Sequence, residues 1–104
     1  RDSGDAASLL ARLEFARAAA DLPDEATLEA GAEGGDPDSL YQLALLEISR
    51  NEFAAAMEKL LVIIRRDRAY KDDLGRKTLL KVFDMLGDDP LVDKYRRKMT
   101  SLLF

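Results

Sequence analysis

Residues 38–66 read DSLYQLALLEISRNEFAAAMEKLLVIIRR, two apolar runs that are separated by a polar break at residues 50–52. In the second run, apolar residues recur at the spacing of one helical face: Phe53, Ala56, Met57, Leu60, Leu61 and Ile64. The pattern predicts two helices joined by a turn of about three residues. Two small residues, Ala44 and Ala56, fall where the helices of such a hairpin would lie closest. Hairpins of this kind are the units of helical repeat proteins, whose usual work is binding.

The rest of the chain predicts four more helices and no strand, which indicates an all-α fold. With the hairpin, helices are expected at about 5–20, 24–33, 37–49, 53–66, 72–86 and from 90 nearly to the end. Asp36-Pro37 and Asp89-Pro90 are typical helix starts, because aspartate caps free N–H groups and proline needs none at the first helical position. The first helix is expected to turn four apolar residues toward the core: Leu9, Leu10, Leu13 and Ala16.

The hairpin also fits one degenerate tetratricopeptide unit, a helix–turn–helix of about 34 residues. With position 1 at Pro37, five of eight consensus positions hold the expected residue type and three depart. The matches are Leu40, Leu43, Ala44, Ala56 and Leu60, and the departures are Glu47, Ile63 and Arg68. We therefore predict stacked antiparallel hairpins, an α-α superhelix of degenerate tetratricopeptide type. A plain six-helix bundle is the alternative that the apolar stripes leave open.

Composition limits both the domain organisation and the chemistry. The chain has 104 residues, which fits one domain over residues 5–104, with residues 1–4 a disordered end. It begins at Arg1 without an initiator Met, so we expect a fragment of a longer protein. The sequence contains no Cys and no His, which argues against thiol redox chemistry, Cys/His zinc sites and a Ser-His-Asp triad. We predict no catalytic residue, metal or cofactor in this chain, and no membrane-spanning segment.

Charge is distributed unevenly along the chain. The first 52 residues hold 12 acids and 4 bases, whereas the last 52 hold 8 acids and 12 bases. The halves therefore carry net charges of -8 and +4 within a total of -4. Such polarity can orient an encounter with a charged partner, whereas the acidic total argues against general binding to nucleic acid.

The stretch from Phe53 to Phe104 carries a more specific pattern. In order, it holds Asp72-Asp73, Arg76-Lys77, Leu79-Leu80, Leu86-Gly87, Asp89-Pro90-Leu91, Tyr95-Arg96-Arg97 and Leu102-Leu103-Phe104. This succession resembles the C-terminal end of the YbbN/CnoX (chaperedoxin) family, bacterial thioredoxin-like proteins with a tetratricopeptide-like C-terminal region. Over residues 1–52 the similarity extends only to the helical layout.

The resemblance implies a cytoplasmic bacterial co-chaperone. Members of this family hold unfolding clients and pass them to the GroEL-type chaperonin and the DnaK system, and their C-terminal helix is implicated in docking to GroEL. On this chain that helix corresponds to about Pro90–Phe104. The thioredoxin-like domain of the family is absent here, so any redox activity of the parent protein would lie outside this chain. The oligomeric state is not implied.

The last helix supplies the candidate partner-binding residues, which are Tyr95, Arg96, Arg97, Leu102, Leu103 and Phe104. A helix whose apolar tip is uncovered exposes side chains that a partner groove can bury, as in helix-in-groove recognition. In the alternative interpretation, the basic residues are solvated and the core is closed by Leu91, Val92, Tyr95, Met99 and Leu102. This alternative is the favoured one for Leu91 to Met99. Leu103 and Phe104 are the two for which partner contact is the favoured interpretation.

Two further interpretations compete with this one. A second basic strip consists of Arg65, Arg66, Arg68, Lys71, Arg76, Lys77 and Lys81. In one interpretation the strip lines a binding groove. In the other it is a solvated face on which some of the bases form ion pairs with Asp67, Asp72 and Asp73. For function, the alternatives are a generic tetratricopeptide adaptor and the substrate-positioning domain of a thiol-disulfide oxidoreductase. The latter needs a Cys supplied by another domain, because thiolate chemistry requires one.

Overall fold

The computed structural model describes residues 3–104, and these form six helices and no strand. The helices are α1 (Ser3–Ala19), α2 (Glu25–Glu33), α3 (Pro37–Ser49), α4 (Phe53–Arg66), α5 (Leu74–Leu86) and α6 (Pro90–Leu103). The all-α architecture and the α3–α4 hairpin are confirmed. Of the predicted disordered end, residues 1 and 2 lie outside the described residues, whereas α1 already begins at Ser3.

The two Asp-Pro signals form the helix starts that the sequence predicts. The Asp36 carboxylate accepts a hydrogen bond from the backbone N–H of Ser39 at 3.2 Å, and Pro37 is the first residue of α3. At the start of α6, Asp89 accepts from the N–H of Leu91 at 2.9 Å. Each aspartate thereby satisfies a donor that the helix itself leaves free.

Helix α5 begins two residues later than predicted. Lys71, Asp72 and Asp73 have φ values of 43°, 60° and 64°, so all three lie in the left-handed region. Three successive left-handed residues cannot belong to a right-handed helix. The right-handed helix therefore starts only at Leu74.

The helices stack in chain order from α2 to α6. Helix α3 packs most extensively on α4, with α2 against its other side, while α5 and α6 cover α4. Ala44 and Ala56 are fully buried, as expected for the close approach of α3 and α4. Helix α1 interrupts the sequential order, because it lies across α3 and α5 rather than against α2.

The prediction of which side of α1 faces the core is wrong. Leu9, Leu10 and Leu13 are 60%, 57% and 60% exposed, and Ala16 is exposed as well. Ala11 and Phe15, which follow on the opposite side of the helix, are the residues that enter the core. Helix α1 is apolar on both sides, so the spacing of its leucines did not determine which side would be buried.

Polar contacts hold α1 in its orientation on α5. The Ser8 hydroxyl donates to the carbonyl of Met85 at 2.9 Å. Lys81 forms an ion pair with Glu14 at 3.0 Å, and its ammonium also lies 5.8 Å from the centre of the Phe15 ring. The first of these contacts places an early turn of α1 beside the end of α5, and the contacts of Lys81 hold the later turns.

Candidate functional site

Helix α6 presents one apolar side to the rest of the molecule. Val92, Tyr95 and Met99 are spaced at three and four residues, and all three are buried against the core. This spacing leaves the remaining side of the helix to solvent. The core contacts fix the position of α6, so the candidate residues have defined environments.

Tyr95 is not available to a partner, which corrects its assignment to the partner-binding set. Its ring is 2% exposed, and its hydroxyl donates to Glu58 Oε2 at 2.9 Å. Burial, followed by this hydrogen bond to Glu58, raises the pKa of Tyr95 to about 12. Tyr95 therefore anchors α6 to α4. This agrees with the alternative interpretation, in which the apolar residues of the last helix close the core.

Several basic side chains of α6 lie against aromatic rings. Lys94 and Lys98 place their ammonium groups 5.4 and 5.1 Å from the centre of the Tyr95 ring. Lys98 also pairs with Glu58 at 2.8 Å, and this hydrogen bond is the main reason that the pKa of Glu58 is lowered. Lys98 is thus bound by a side chain of α4, and neither lysine extends freely into solvent.

The candidate arginines remain on the surface. Arg96 and Arg97 are exposed, and the Arg96 guanidinium lies 5.2 Å from the centre of the Phe83 ring. Together with Asp93, Thr100 and Ser101 they line a shallow depression along the outer side of α6. Sequence reasoning identified the arginines but not the depression. The helical spacing of these five residues was the signal that could have revealed it.

The end of α6 separates the three apolar tail residues. Leu102 and Leu103 are half-buried and pack against the core, whereas Phe104 is 100% exposed. The helix extends through Leu103, and the N–H of Phe104 still bonds the carbonyl of Thr100 at 3.0 Å. A large aromatic ring is therefore exposed to solvent at the end of α6.

The second basic strip is largely neutralised by neighbouring acids. Four of its members are in ion pairs: Lys71 with Asp38 at 3.2 Å, Arg76 with Asp73 at 2.6 Å, Lys77 with Asp72 at 2.9 Å and Lys81 with Glu14 at 3.0 Å. Arg65, Arg66 and Arg68 are exposed. Because most of the strip has intramolecular partners, the arrangement favours a solvated face over an anion-binding groove.

A cleft lined by α2, α3 and α4 contains an ion pair that the sequence analysis did not identify. Lys59 Nζ lies 2.7 Å from Glu47 Oε2, and the other oxygen of Glu47 is buried without a hydrogen-bond partner among the described residues. Glu29 and Glu33 line the same cleft. The sequence marked Glu47 only as a departure from the repeat consensus, because Lys59 meets it across the hairpin rather than along one helix.

Comparison with known proteins supports the assignment of this fold to the helical repeat proteins. Stacked antiparallel helix hairpins define a helical repeat protein, and the tetratricopeptide repeat family matches residues 16–104. The chain belongs to the tetratricopeptide repeat family. Domains of this family are generally modules for protein–protein interaction rather than catalysts. No curated protein and no solved structure gives a significant match. Within residues 3–104, no helix has the length and apolar character needed to cross a membrane.

Proposed function

We propose that this chain is the protein-interaction domain of a thioredoxin-like co-chaperone of the bacterial cytoplasm. It binds unfolded client proteins and docks to a GroEL-type chaperonin, with transfer of clients to the DnaK system as well. The support is the residue pattern from Phe53 to Phe104 together with membership of a protein-binding family. Docking takes place through the end of α6.

The observation that carries this proposal is the complete exposure of Phe104 beside two half-buried leucines. Burying a phenylalanine side chain is worth about 1.5–3 kcal/mol. Arg96 and Arg97 lie about two turns before Phe104 on the same helix and remain exposed. An apolar tip with neighbouring positive charge fits a partner groove that is apolar inside and acidic at its rim.

The test is to capture a GroEL-type chaperonin with the domain and with Phe104→Ser. We expect the substitution to weaken association by about tenfold or more, since the lost burial corresponds to at least one decade of affinity. Phe104→Ser is preferable to deletion of residues 102–104, because Leu102 and Leu103 also pack against the core.

Leu9→Ser provides the matched control, because it removes a well-exposed apolar side chain from a different helix. It should leave chaperonin association unchanged. Equal association of Phe104→Ser and the unmodified domain, with helical content intact by circular dichroism, would exclude docking through this tip. Failure of the unmodified domain to bind any chaperonin would favour the second candidate.

A generic tetratricopeptide adaptor for an unrelated complex is that second candidate. The family match covers most of the chain and points to protein binding in general, without specifying chaperones. An adaptor would retain its own partner in the capture experiment and show no dependence on Phe104. The same pair of variants therefore distinguishes the two functions.

A further inference from the structure

Helix α1 has an apolar ridge on the side that faces away from the molecule. The ridge consists of Ala6, Leu9, Leu13 and Ala16, all of them exposed. Their spacing alternates between three and four residues, which is the spacing of a seam between two packed helices. Exposed contiguous apolar surface on a soluble domain commonly marks an interaction site.

A groove lies beside this ridge, between α1 and α5. Its apolar lining consists of Ala7, Leu10, Ala11 and Leu80, and charged side chains form its rim. Ridge and groove belong to neighbouring sides of the same helix. They can therefore satisfy each other in a two-fold pair, in which the same patch of both copies takes part.

One acidic side chain at the rim of the groove can be matched by a basic side chain that lies beside the ridge. Lys77 and Lys81 on the rim are already paired, with Asp72 and Glu14. Asp84 is an exposed rim acid with no ion pair among the described residues. Arg17, an exposed base in the last turn of α1, likewise has none within that part of the chain.

An antiparallel pair of α1 helices brings these two charges together. The Ser8–Met85 hydrogen bond shows that the first turns of α1 lie beside the end of α5, where Asp84 is located. In a two-fold antiparallel pair, the last turn of one α1 lies beside the first turns of the other. Arg17 of one copy then approaches Asp84 of its partner.

We propose that a second copy of this chain covers the α1 ridge, with each ridge packed in the α1–α5 groove of the other. The ridge is about 15 Å long and about 10 Å wide, roughly 150 Å², so that ridge and groove together are well short of the roughly 800 Å² that each partner contributes to a stable interface. The dimer is therefore weak and reversible. Most of α1 precedes residue 16, where the family match begins, so the α1 ridge lies largely outside the repeat array.

Sedimentation velocity of the full chain, from about 10 μM to about 1 mM, tests the proposal. The sedimentation coefficient should rise with concentration toward that of a dimer. The double variant Leu9→Ser/Leu13→Ser should raise the dissociation constant by about tenfold or more, because four leucines leave the interface. Phe104→Ser is the matched control and should dimerise normally, so failure of chaperonin docking stays distinguishable from failure of dimerisation.

Reversing the charges of Arg17 and Asp84 tests whether a second copy of the chain is what covers the ridge. Arg17→Glu and Asp84→Arg should each weaken self-association, and combining them in one chain should restore it, because the pair is re-formed across the interface. A domain that stays monomeric throughout overturns the proposal, as does a combined variant that remains as weak as the single ones. Capture of an unfolded client by the ridge of a strictly monomeric domain would assign the ridge to clients and also overturn it.

Discussion

At the scale of single residues, the α3–α4 turn depends on one left-handed backbone conformation. Asn51 has a φ of 63°, and its N–H bonds the carbonyl of Ile48 at 3.0 Å. Asparagine tolerates this region better than most residues, because its short polar side chain can hydrogen-bond locally. Glycine would occupy it without steric cost, whereas a β-branched residue would be strained.

We expect Asn51→Val to lower the free energy of unfolding by about 1–2 kcal/mol through this strain. Asn51→Gly, the matched control, should stay within about 0.5 kcal/mol of the unmodified domain, since glycine adopts positive φ readily. Urea unfolding followed by circular dichroism measures both. Equal stability of the Val and Gly variants would show that the turn does not require a left-handed residue.

The residue scale also shows what sequence can and cannot reveal about the site. The Asp36 and Asp89 caps were predictable because the capping side chain and its target lie within three residues. The Tyr95–Glu58 hydrogen bond joins residues 37 positions apart on different helices. Only the packing of α6 on α4 brings them together. The sequence therefore favoured the core for Tyr95 but also kept it among the candidate partner-binding residues, and it could not identify Glu58 as its hydrogen-bond partner.

At the scale of the helix, α2 and α3 approach each other closely at a glycine. A Cβ built on Gly31 would lie 2.8 Å from the Cβ of Ser39, which is itself buried. Real Cβ atoms do not come this close, so the two helices can meet here only because Gly31 lacks a side chain. Gly34, one turn later, has ordinary surroundings and a right-handed backbone.

Gly31→Ala should therefore destabilise the domain by about 1–3 kcal/mol, the usual cost of overpacking. Helix propensity alone predicts the opposite sign, a gain of about 1 kcal/mol. Gly34→Ala is the control in which propensity is not opposed by a clash, and it should be neutral or stabilising. Thermal unfolding of the two variants compares them, and a stabilised Gly31→Ala would contradict the close approach.

Helix α1 shows the limit of apolar periodicity as a predictor. Every helix was predicted from its stripe and its end signals, and for α4 the stripe also identified the buried side. In α1, apolar residues occupy both sides, and Ala11 and Phe15 rather than the leucines were buried. Which side is buried depends on the surface that α3 and α5 offer, and one helix cannot encode that surface.

At the scale of the whole molecule, the titratable groups predict where stability depends on pH. The sequence has no His and no Cys, so no side chain with an ordinary pKa between about 5 and 8 is present. Hydrogen bonds from Tyr70 and Lys71 lower the pKa of Asp38, and Lys98 lowers that of Glu58. A carboxylate with a lowered folded-state pKa contributes stability above its unfolded pKa, and loses it as pH falls.

The tyrosines act at the opposite end of the pH range. Burial is the main cause of the raised pKa of both Tyr70 and Tyr95, followed by a hydrogen bond to Asp38 or Glu58. A raised folded-state pKa means that the neutral form is favoured in the folded protein. The stability it contributes is present below the unfolded pKa of about 10, and is lost as pH rises above it. We therefore expect the melting temperature to be nearly constant between about pH 6 and pH 9, and to fall on both sides.

Tyr95→Phe separates the contribution of Tyr95 to the loss of stability at alkaline pH from that of the other titratable groups. Near pH 8 the variant should be less stable by about 0.5–1.5 kcal/mol, because the hydrogen bond to Glu58 is lost. As pH rises toward 11, the unmodified domain loses the contribution of the neutral Tyr95 hydroxyl and the variant does not, so the difference in melting temperature should narrow. Val92→Ala, a truncation in the same helix without an ionisable group, should keep a constant difference over this range. A difference for Tyr95→Phe that stays equally constant would mean that the buried hydroxyl does not resist ionisation in the folded domain.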